Sequence, residues 1–194
     1  MSTLFLYNLN QHRELFLQLD ALAPAVGKVT ELVAQRMRAG GKLMICGNGG
    51  SAADSQHIAA EFTGRFIEDR QALAGLALST DSSALTCIGN DYSFDEVFAR
   101  QVAGLGRAED VLIGISTSGN SRNVMRAVDE AKARGILTIG LLGRDGGKLA
   151  ALCDHSIIVP SQTTARIQEA HILIGHTICG GVEQLLDLAP RTED

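Results

Sequence analysis

The sequence predicts an α/β fold built on a doubly wound, five-stranded parallel sheet. Five short apolar runs alternate with helical stretches along the 194 residues, which is typical of repeated strand–helix–strand units. Each run is continuously apolar and does not alternate with polar residues. A strand that is covered by helices on both faces has this pattern, so we expect one layer of helices on each side of the sheet.

Two helices are predicted ahead of the first strand. Residues 4–22 are rich in leucine and phenylalanine, with polar residues at helical spacing. A second helix is expected from Pro24, a favourable residue in a first helical turn, to Gly40 and Gly41. The first helix is apolar around much of its circumference, and one sheet face cannot cover all of it. An extra packing layer within the chain would explain this, but we favour a subunit interface.

The predicted strands are Lys42–Cys46, Gly75–Ser79, Val111–Ser116, Ile136–Leu142 and Ser156–Val159. The last helix is expected from about Thr164 to Leu188. The chain length suits a single domain, which we place at residues 1–194. Within it, residues 1–40 are predicted to form the helical pair and residues 41–194 the α/β core.

Composition excludes several classes of protein. The formal net charge is −5, with no run of like charges, which disfavours a nucleic-acid partner. Aromatic residues make up only 4% of the chain and tryptophan is absent, which disfavours base stacking. The four cysteines form no C-x-x-C pair, so neither a zinc ribbon nor a disulfide framework is indicated. We expect a cytoplasmic protein with no signal peptide and no membrane partner, since no apolar stretch approaches about 20 residues.

A glycine-rich turn follows the first predicted strand. Residues 46–51 read Cys-Gly-Asn-Gly-Gly-Ser, and a helix is predicted directly after them. Glycine lets the backbone approach a ligand closely, and the free N–H groups of a helix N-terminus suit phosphate or sugar oxygens. The turn matches neither the G-x-G-x-x-G dinucleotide pattern nor a P-loop. Taken alone, it could equally be an ordinary tight turn.

A hydroxyl-rich turn follows the third predicted strand. Residues 116–121 read Ser-Thr-Ser-Gly-Asn-Ser, again ahead of a helix. A helix cap needs only one such residue, and four hydroxyls therefore favour a phosphate cup. Because both turns follow the carboxyl ends of parallel strands, we expect them to share one crevice.

Two predicted helices carry candidate catalytic and metal-binding side chains. His57 and Glu61 are four residues apart, so they share a helix face and could reach one metal ion or one substrate. A surface ion pair is the alternative, but their apolar neighbours disfavour it. Gln168 and His176 lie about 12 Å apart along the last helix. Two side chains this far apart on one copy of the helix would not easily contact the same atom. A site formed between two subunits could take the two residues from different copies of the helix. His171 points about 140° away from His176 and should not share its target.

The sequence resembles the sugar isomerase (SIS) domain family and, within it, the phosphoheptose isomerases. The resemblance rests on residues 46–62 (CGNGGSAADSQHIAAEF), 88–94 (IGNDYSF), 114–121 (GISTSGNS), 143–148 (GRDGGK) and 165–176 (ARIQEAHILIGH). It implies a flavodoxin-like three-layer fold whose N-terminal helices serve oligomerisation. It also implies a homotetramer with active sites at the subunit interfaces.

The same resemblance implies an aldose–ketose isomerase. The substrate would be the sugar phosphate D-sedoheptulose 7-phosphate and the product D-glycero-D-manno-heptose 7-phosphate, for the synthesis of nucleotide-activated heptose and lipopolysaccharide. One zinc ion per subunit is implied, with His57, Glu61, Gln168 and His176 as ligands and with Glu61 and His176 as catalytic residues. The implied substrate-binding residues are Asn48, Gly49, Gly50, Ser51, Asn90, Asp91, Ser116, Thr117, Ser118, Ser121 and Gln168.

Two alternatives within the family remain open at this point. A non-enzymatic SIS protein that associates with the bacterial replication initiator would share the phosphate turns, but it is expected to lack the pair formed by Glu61 and His176. Another SIS enzyme, either an aminosugar isomerase or a sugar-acid etherase, is the second alternative. The aminosugar isomerases usually carry extra domains, for which this chain has no room.

Overall fold

A five-stranded parallel sheet lies at the centre of the computed structural model, which describes residues 2–190. The strands are β1 (Leu43–Gly47), β2 (Gly75–Ala77), β3 (Val111–Ser116), β4 (Leu137–Gly143) and β5 (His155–Val159). They are ordered β2-β1-β3-β4-β5, and every neighbouring pair is parallel. The predicted doubly wound parallel sheet is confirmed, and each strand begins and ends within two residues of its predicted bounds.

Eight α-helices flank the sheet within residues 2–190. They are α1 (Ser2–Phe16), α2 (Ala23–Arg38), α3 (Gly50–Thr63), α4 (Ser82–Asp91), α5 (Ala99–Leu105), α6 (Arg122–Ala133), α7 (Leu149–Leu152) and α8 (Thr164–Leu185). The helix predicted over residues 4–22 is interrupted, because α1 ends at Phe16 and a separate 3₁₀ turn occupies Leu19–Leu22. None of the helices within the described residues combines the length and the apolar character that a membrane span needs.

Both faces of the sheet are buried, as the continuous apolar runs predict. Successive side chains of a strand point to opposite faces. In β1, Leu43 and Ile45 pack into a core formed with α2, α3 and α8, whereas Met44 and Cys46 pack into a second core on the other face. That second core is formed with α4, α5, α6 and α7. The molecule therefore has three layers.

The strand order places the two ligand turns side by side. β1 and β3 are neighbours in the sheet, and the chain leaves them toward opposite faces, through α3 and α6 respectively. Ligands of open α/β sheets bind at such a reversal, beyond the carboxyl ends of the strands. The turn after β1 and the turn after β3 therefore form the two walls of one crevice.

Candidate active site

Three side chains from α3 and α8 meet in a partly exposed cluster. His57 Nε2 lies 2.8 Å from His176 Nε2 and 3.5 Å from Glu61 Oε1. One potential ligand atom from each of the three lies within 4.8 Å of the others. Two imidazole nitrogens and one carboxylate oxygen are donors that Zn²⁺ accepts. The cluster thus fits a divalent metal ion, and it also places a carboxylate beside an imidazole, as proton transfer requires.

The cluster forms because α3 and α8 pack side by side and run in the same direction. The contacting pairs, in chain order, are Gly50 with Gln168, His57 with His176, and Phe66 with Gly180. His57 and Glu61 on α3 lie directly beside His176 on α8. A single chain therefore assembles all three residues without a second subunit. Gln168 differs from these three, because its amide lies against Gly50, where a Cβ atom would overlap it.

Burial controls the ionisation of two groups beside the cluster. Asp54 lies one turn before His57; burial raises the pKa of its carboxyl, and the charge of His57 opposes that rise. Its Oδ2 atom is buried and has no hydrogen-bond partner within residues 2–190. Burial, assisted by the carboxylates of Glu61 and Glu183, raises the pKa of the Cys179 thiol to about 12. Cys179 is therefore a neutral, buried thiol in the core behind the cluster.

The first ligand turn leads directly into α3. Gly49 adopts a φ of 56°, a conformation that residues with a side chain rarely adopt, and α3 begins at the next residue. Gly49 and Gly50 are exposed, and Asn48 is half-buried, whereas the Ser51 side chain is buried in the first turn of the helix. The turn therefore offers backbone groups and the Asn48 amide to a ligand.

The second ligand turn gathers hydroxyl groups at the start of α6. Ser116 Oγ lies 2.9 Å from Ser121 Oγ and 3.5 Å from Ser118 Oγ. Ser121 is the N-cap residue of α6, yet its hydroxyl makes no capping hydrogen bond and instead lies within hydrogen-bond distance of Ser116. Three hydroxyls converge beside the N-terminus of a helix of 12 residues. This arrangement suits a phosphate group, both by hydrogen bonding and by the helix dipole.

Asn123 joins the two ligand turns, and it was not identified as a site residue from the sequence. Its amide and that of Asn48 exchange two hydrogen bonds, each of 2.8 Å, across the crevice. Asn123 is buried on α6, and its Oδ1 atom also accepts from the backbone N–H of Val124. An asparagine two residues after the serine turn gave no signal, because asparagine is common at helix starts for capping alone.

The other predicted contacts lie apart from the cluster within one chain. Asn90 and Asp91 are exposed at the C-terminal end of α4, and their side chains hydrogen-bond to each other at 2.8 Å. Asp91 also accepts a weak hydrogen bond from Cys87 Sγ. In the described chain, these side-chain bonds stay within α4 and do not reach either turn. Thr117 lies between the serines and is half-buried.

Fold and site together define the class of this protein. The SIS domain family model matches residues 9–143, and the chain belongs to this family.

The relatives of known activity are consistent with one branch of that family. The chain is 53% identical over 174 residues to phosphoheptose isomerase 1 of Campylobacter jejuni, which covers 90% of this chain and 94% of the relative. It is 64% identical over 143 residues to the phosphoheptose isomerase of Nitratiruptor, covering 74% of this chain and 76% of the relative. The alternative of a regulator bound to the replication initiator finds no support among these relatives.

Solved structures agree with the same assignment. The phosphoheptose isomerase of Neisseria gonorrhoeae superposes with a TM-score of 0.90 at 47% identity, over 94% of this chain and 98% of the other. The phosphoheptose isomerase of Francisella tularensis superposes with a TM-score of 0.90 at 35% identity, over 95% of this chain and 100% of the other.

Proposed function

We propose that this chain isomerises D-sedoheptulose 7-phosphate to D-glycero-D-manno-heptose 7-phosphate, as a phosphoheptose isomerase. The observation that carries the proposal is the meeting of Glu61 with His57 and His176 in a chain that also builds a serine cup for phosphate. An aldose–ketose isomerase needs both parts, an anchor for the phosphate and a proton-transfer pair at the other end of the sugar. Relatives at 53% identity over 90% of the chain support the heptose phosphate as substrate.

Two proton transfers complete the reaction. With the sugar ring open, the carboxylate of Glu61 takes a proton from C1, next to the C2 carbonyl, and a cis-enediol forms. The imidazole of His176 supplies a proton to O2 and accepts the proton of O1. The protonated Glu61 then returns its proton to C2, which leaves the aldehyde at C1 and restores both side chains. General acid–base catalysis of this kind contributes about 10²–10⁴ in rate.

The phosphate is proposed to bind in the hydroxyl-rich turn. Ser116, Ser118 and Ser121 place their hydroxyls around one position at the start of α6. Free backbone N–H groups at that helix end add further donors. The glycine turn and Asn48 would contact the sugar oxygens between the two ends, and Asn90 and Asp91 are retained as predicted contacts.

Zinc is proposed as a cofactor held by His57, Glu61 and His176. When bound, the ion would polarise the sugar carbonyl and stabilise negative charge on the enediol oxygens. Three protein ligands with an open position are typical of catalytic zinc, and the ion can expand to five ligands, which leaves room for a further protein ligand. Gln168 remains a predicted fourth ligand and substrate contact; its amide lies beside Gly50 in this structure.

A homotetramer is proposed from the exposed apolar side chains of α1, and active sites at its subunit interfaces remain a prediction. Leu4, Phe5, Leu6 and Tyr7 are each more than half exposed in the single chain. Beside the following 3₁₀ turn, an apolar groove of about 770 Å³ is lined by Phe16, Leu22, Val26 and Leu173, among others.

A cytoplasmic location is proposed on the basis of four free cysteines, three of them buried.

The test of the function replaces the proposed base. Glu61→Gln keeps the size and hydrogen bonding of the side chain but removes its basic oxygen, so kcat should fall by about 10²–10⁴ while KM changes little. The assay couples product formation from sedoheptulose 7-phosphate to a spectroscopic signal. Glu130→Gln is the matched control, because Glu130 forms a surface i,i+4 ion pair with Arg134 at 2.6 Å and should keep normal turnover.

A chelator added to the same assay tests the metal. We expect activity to be lost and then restored by added Zn²⁺. Near-normal turnover in Glu61→Gln would remove the proposed mechanism, and full activity in the metal-free protein would remove zinc from it.

A further inference from the structure

A buried ion pair lies behind the cluster and joins the segment after α3 to α8. Arg70 Nε donates to Glu183 Oε1 at 2.7 Å, and their side chains are only 2% and 1% exposed. Arg70 belongs to the irregular segment between α3 and β2, and Glu183 lies near the end of α8. The pair therefore links α8, which carries His176, to the segment that follows α3, the helix that carries His57 and Glu61.

The guanidinium of Arg70 binds the end of α3 directly. It donates to the backbone carbonyls of Glu61 at 2.6 Å, Phe62 at 2.8 Å and Gly64 at 2.9 Å. The last carbonyls of a helix have no partner within the helix, and a positive charge there is favourable to the helix dipole. Arg70 thus fixes the backbone at Glu61 itself.

The carboxylate of Glu183 extends the same connection to His176. Its Oε1 atom also accepts from the backbone N–H of Phe66 at 3.0 Å. The Phe66 ring packs against the His176 ring, with 5.3 Å between the centroids. Glu183 is seven residues after His176, which is close to two helical turns, so both lie on the side of α8 that faces α3.

Stability alone is a poor reason for such a pair. Desolvation of two charges consumes most of their attraction, and well-packed apolar residues are often at least as stable. Here Glu183 Oε2 is in addition buried without a hydrogen-bond partner in the described part of the chain. What the pair does supply is a fixed geometry, because the planar fork of arginine holds several acceptors at once.

We infer that Arg70 and Glu183 are positioning residues that set the distance between Glu61 on α3 and His176 on α8. The inference rests on the proposed function, in which these two side chains transfer protons and hold zinc. It assigns no substrate contact to either member of the pair. Mutation of the residues that hold metal ligands in place typically lowers metal affinity or activity by about 10–100-fold.

Arg70→Lys separates charge from geometry. Lysine keeps a positive charge opposite Glu183 but cannot bind several carbonyls in one plane. We expect kcat to fall about tenfold, the Zn²⁺ dissociation constant to rise about tenfold, and KM for the sugar phosphate to stay within about twofold, because the serine cup is untouched. Zn²⁺ affinity is measured by competition with a chromophoric chelator, independently of turnover.

A second, partly buried ion pair supplies the control. Lys42 pairs with Asp110, whose side chain is 2% exposed, just before β1 and β3 and thus at the opposite edge of the sheet from the crevice. Asp110→Asn should lower the unfolding midpoint but leave kcat and Zn²⁺ affinity unchanged. If Arg70→Lys does not fold, Glu183→Gln is the variant that tests the inference, and we expect it to lose kcat and Zn²⁺ affinity to the same extent.

The inference is overturned if the folded Arg70→Lys or Glu183→Gln variant matches the wild type in both kcat and Zn²⁺ affinity. It is also overturned if Asp110→Asn loses as much kcat and Zn²⁺ affinity as that variant does. A wild-type protein that does not convert sedoheptulose 7-phosphate would refute the proposed function instead, and Zn²⁺ affinity would still decide the role of the pair.

Discussion

His171 shows how one residue type serves two purposes on a single helix. It lies on α8 between Gln168 and His176, but it is fully buried and its Nε2 atom is 3.0 Å from the carbonyl oxygen of Leu142. Burial lowers the pKa of its imidazole to about 4, partly opposed by that hydrogen bond. The neutral ring ties α8 to the carboxyl end of β4, which leads into the loop beside the serine turn.

This lowered pKa predicts a loss of stability in acid. In the unfolded chain a histidine binds a proton near pH 6.5, whereas in the folded chain His171 does so only near pH 4. Above pH 6.5 the residue is neutral in both states and contributes no pH dependence. As the pH falls from 6.5 to 4, the unfolded state binds the extra proton, and the free energy of unfolding decreases by up to about 3 kcal/mol.

His171→Gln should remove this contribution. Urea unfolding at pH 7.0 and pH 4.5, at one protein concentration and with chelator present, gives the change in the free energy of unfolding between the two pH values. We expect that change to be about 2–3 kcal/mol smaller in the variant than in the wild type. An equal change in both proteins would mean that folding does not lower the pKa of His171.

At the scale of elements, the parallel packing of α3 on α8 decides where the site forms. A glycine lies where the two helices are in contact: a Cβ atom on Gly175 would come within 2.5 Å of Ile58 Cδ1. Ile58 is buried one residue after His57, so its side chain cannot move away freely. The spacing of the two helices is therefore tied to the absence of a side chain at one position.

Gly175→Ala should consequently damage both stability and activity. Overpacking of a buried contact costs about 1–3 kcal/mol, and any displacement of α8 moves His176, the next residue, away from His57. Gly27 offers a matched control, since it lies within α2 and a Cβ atom there would contact nothing within 4 Å. Gly27→Ala should raise stability by about 0.5–1 kcal/mol and leave turnover unchanged.

Thermal unfolding and steady-state kinetics of the two variants provide the comparison. If Gly175→Ala were as stable and as active as Gly27→Ala, the helix spacing would not depend on this glycine.

At the scale of the whole molecule, most of the apolar surface of the first helix is not covered in the single chain. Leu15 is the one residue of α1 that is buried within the described residues, although the helix is 15 residues long. Leu17, which follows it, is 81% exposed. Exposed apolar surface of this extent usually marks a contact with another protein.

The proposed homotetramer can be measured directly. Light scattering at micromolar concentration should give four times the chain mass of 20.5 kDa. Phe5→Asp, which places a charge on the exposed face of α1, should shift the protein to smaller species. Leu105→Asp is the control, because Leu105 is also an exposed apolar residue but lies at the end of α5. A wild-type mass equal to one chain would exclude the tetramer.

The amino-acid sequence by itself determined the fold class, the bounds of the strands and the position of both ligand turns. These features are local: a strand between two helix layers is continuously apolar, and a turn that binds phosphate concentrates glycine or hydroxyl residues at one point. The pairing of His57 with Glu61 is local as well, since four residues separate them on one helix.

Only the tertiary structure decided which distant residues meet. His176 is 119 positions from His57, Arg70 is 113 from Glu183, and Asn123 is 75 from Asn48. Helical periodicity gives the angle and the axial position of a residue on its own helix, but not the neighbour against which that helix packs. The parallel packing of α8 on α3 brought His176 to Glu61 and left Gln168 beside Gly50, because residues 12 Å apart on one helix face different levels of the other.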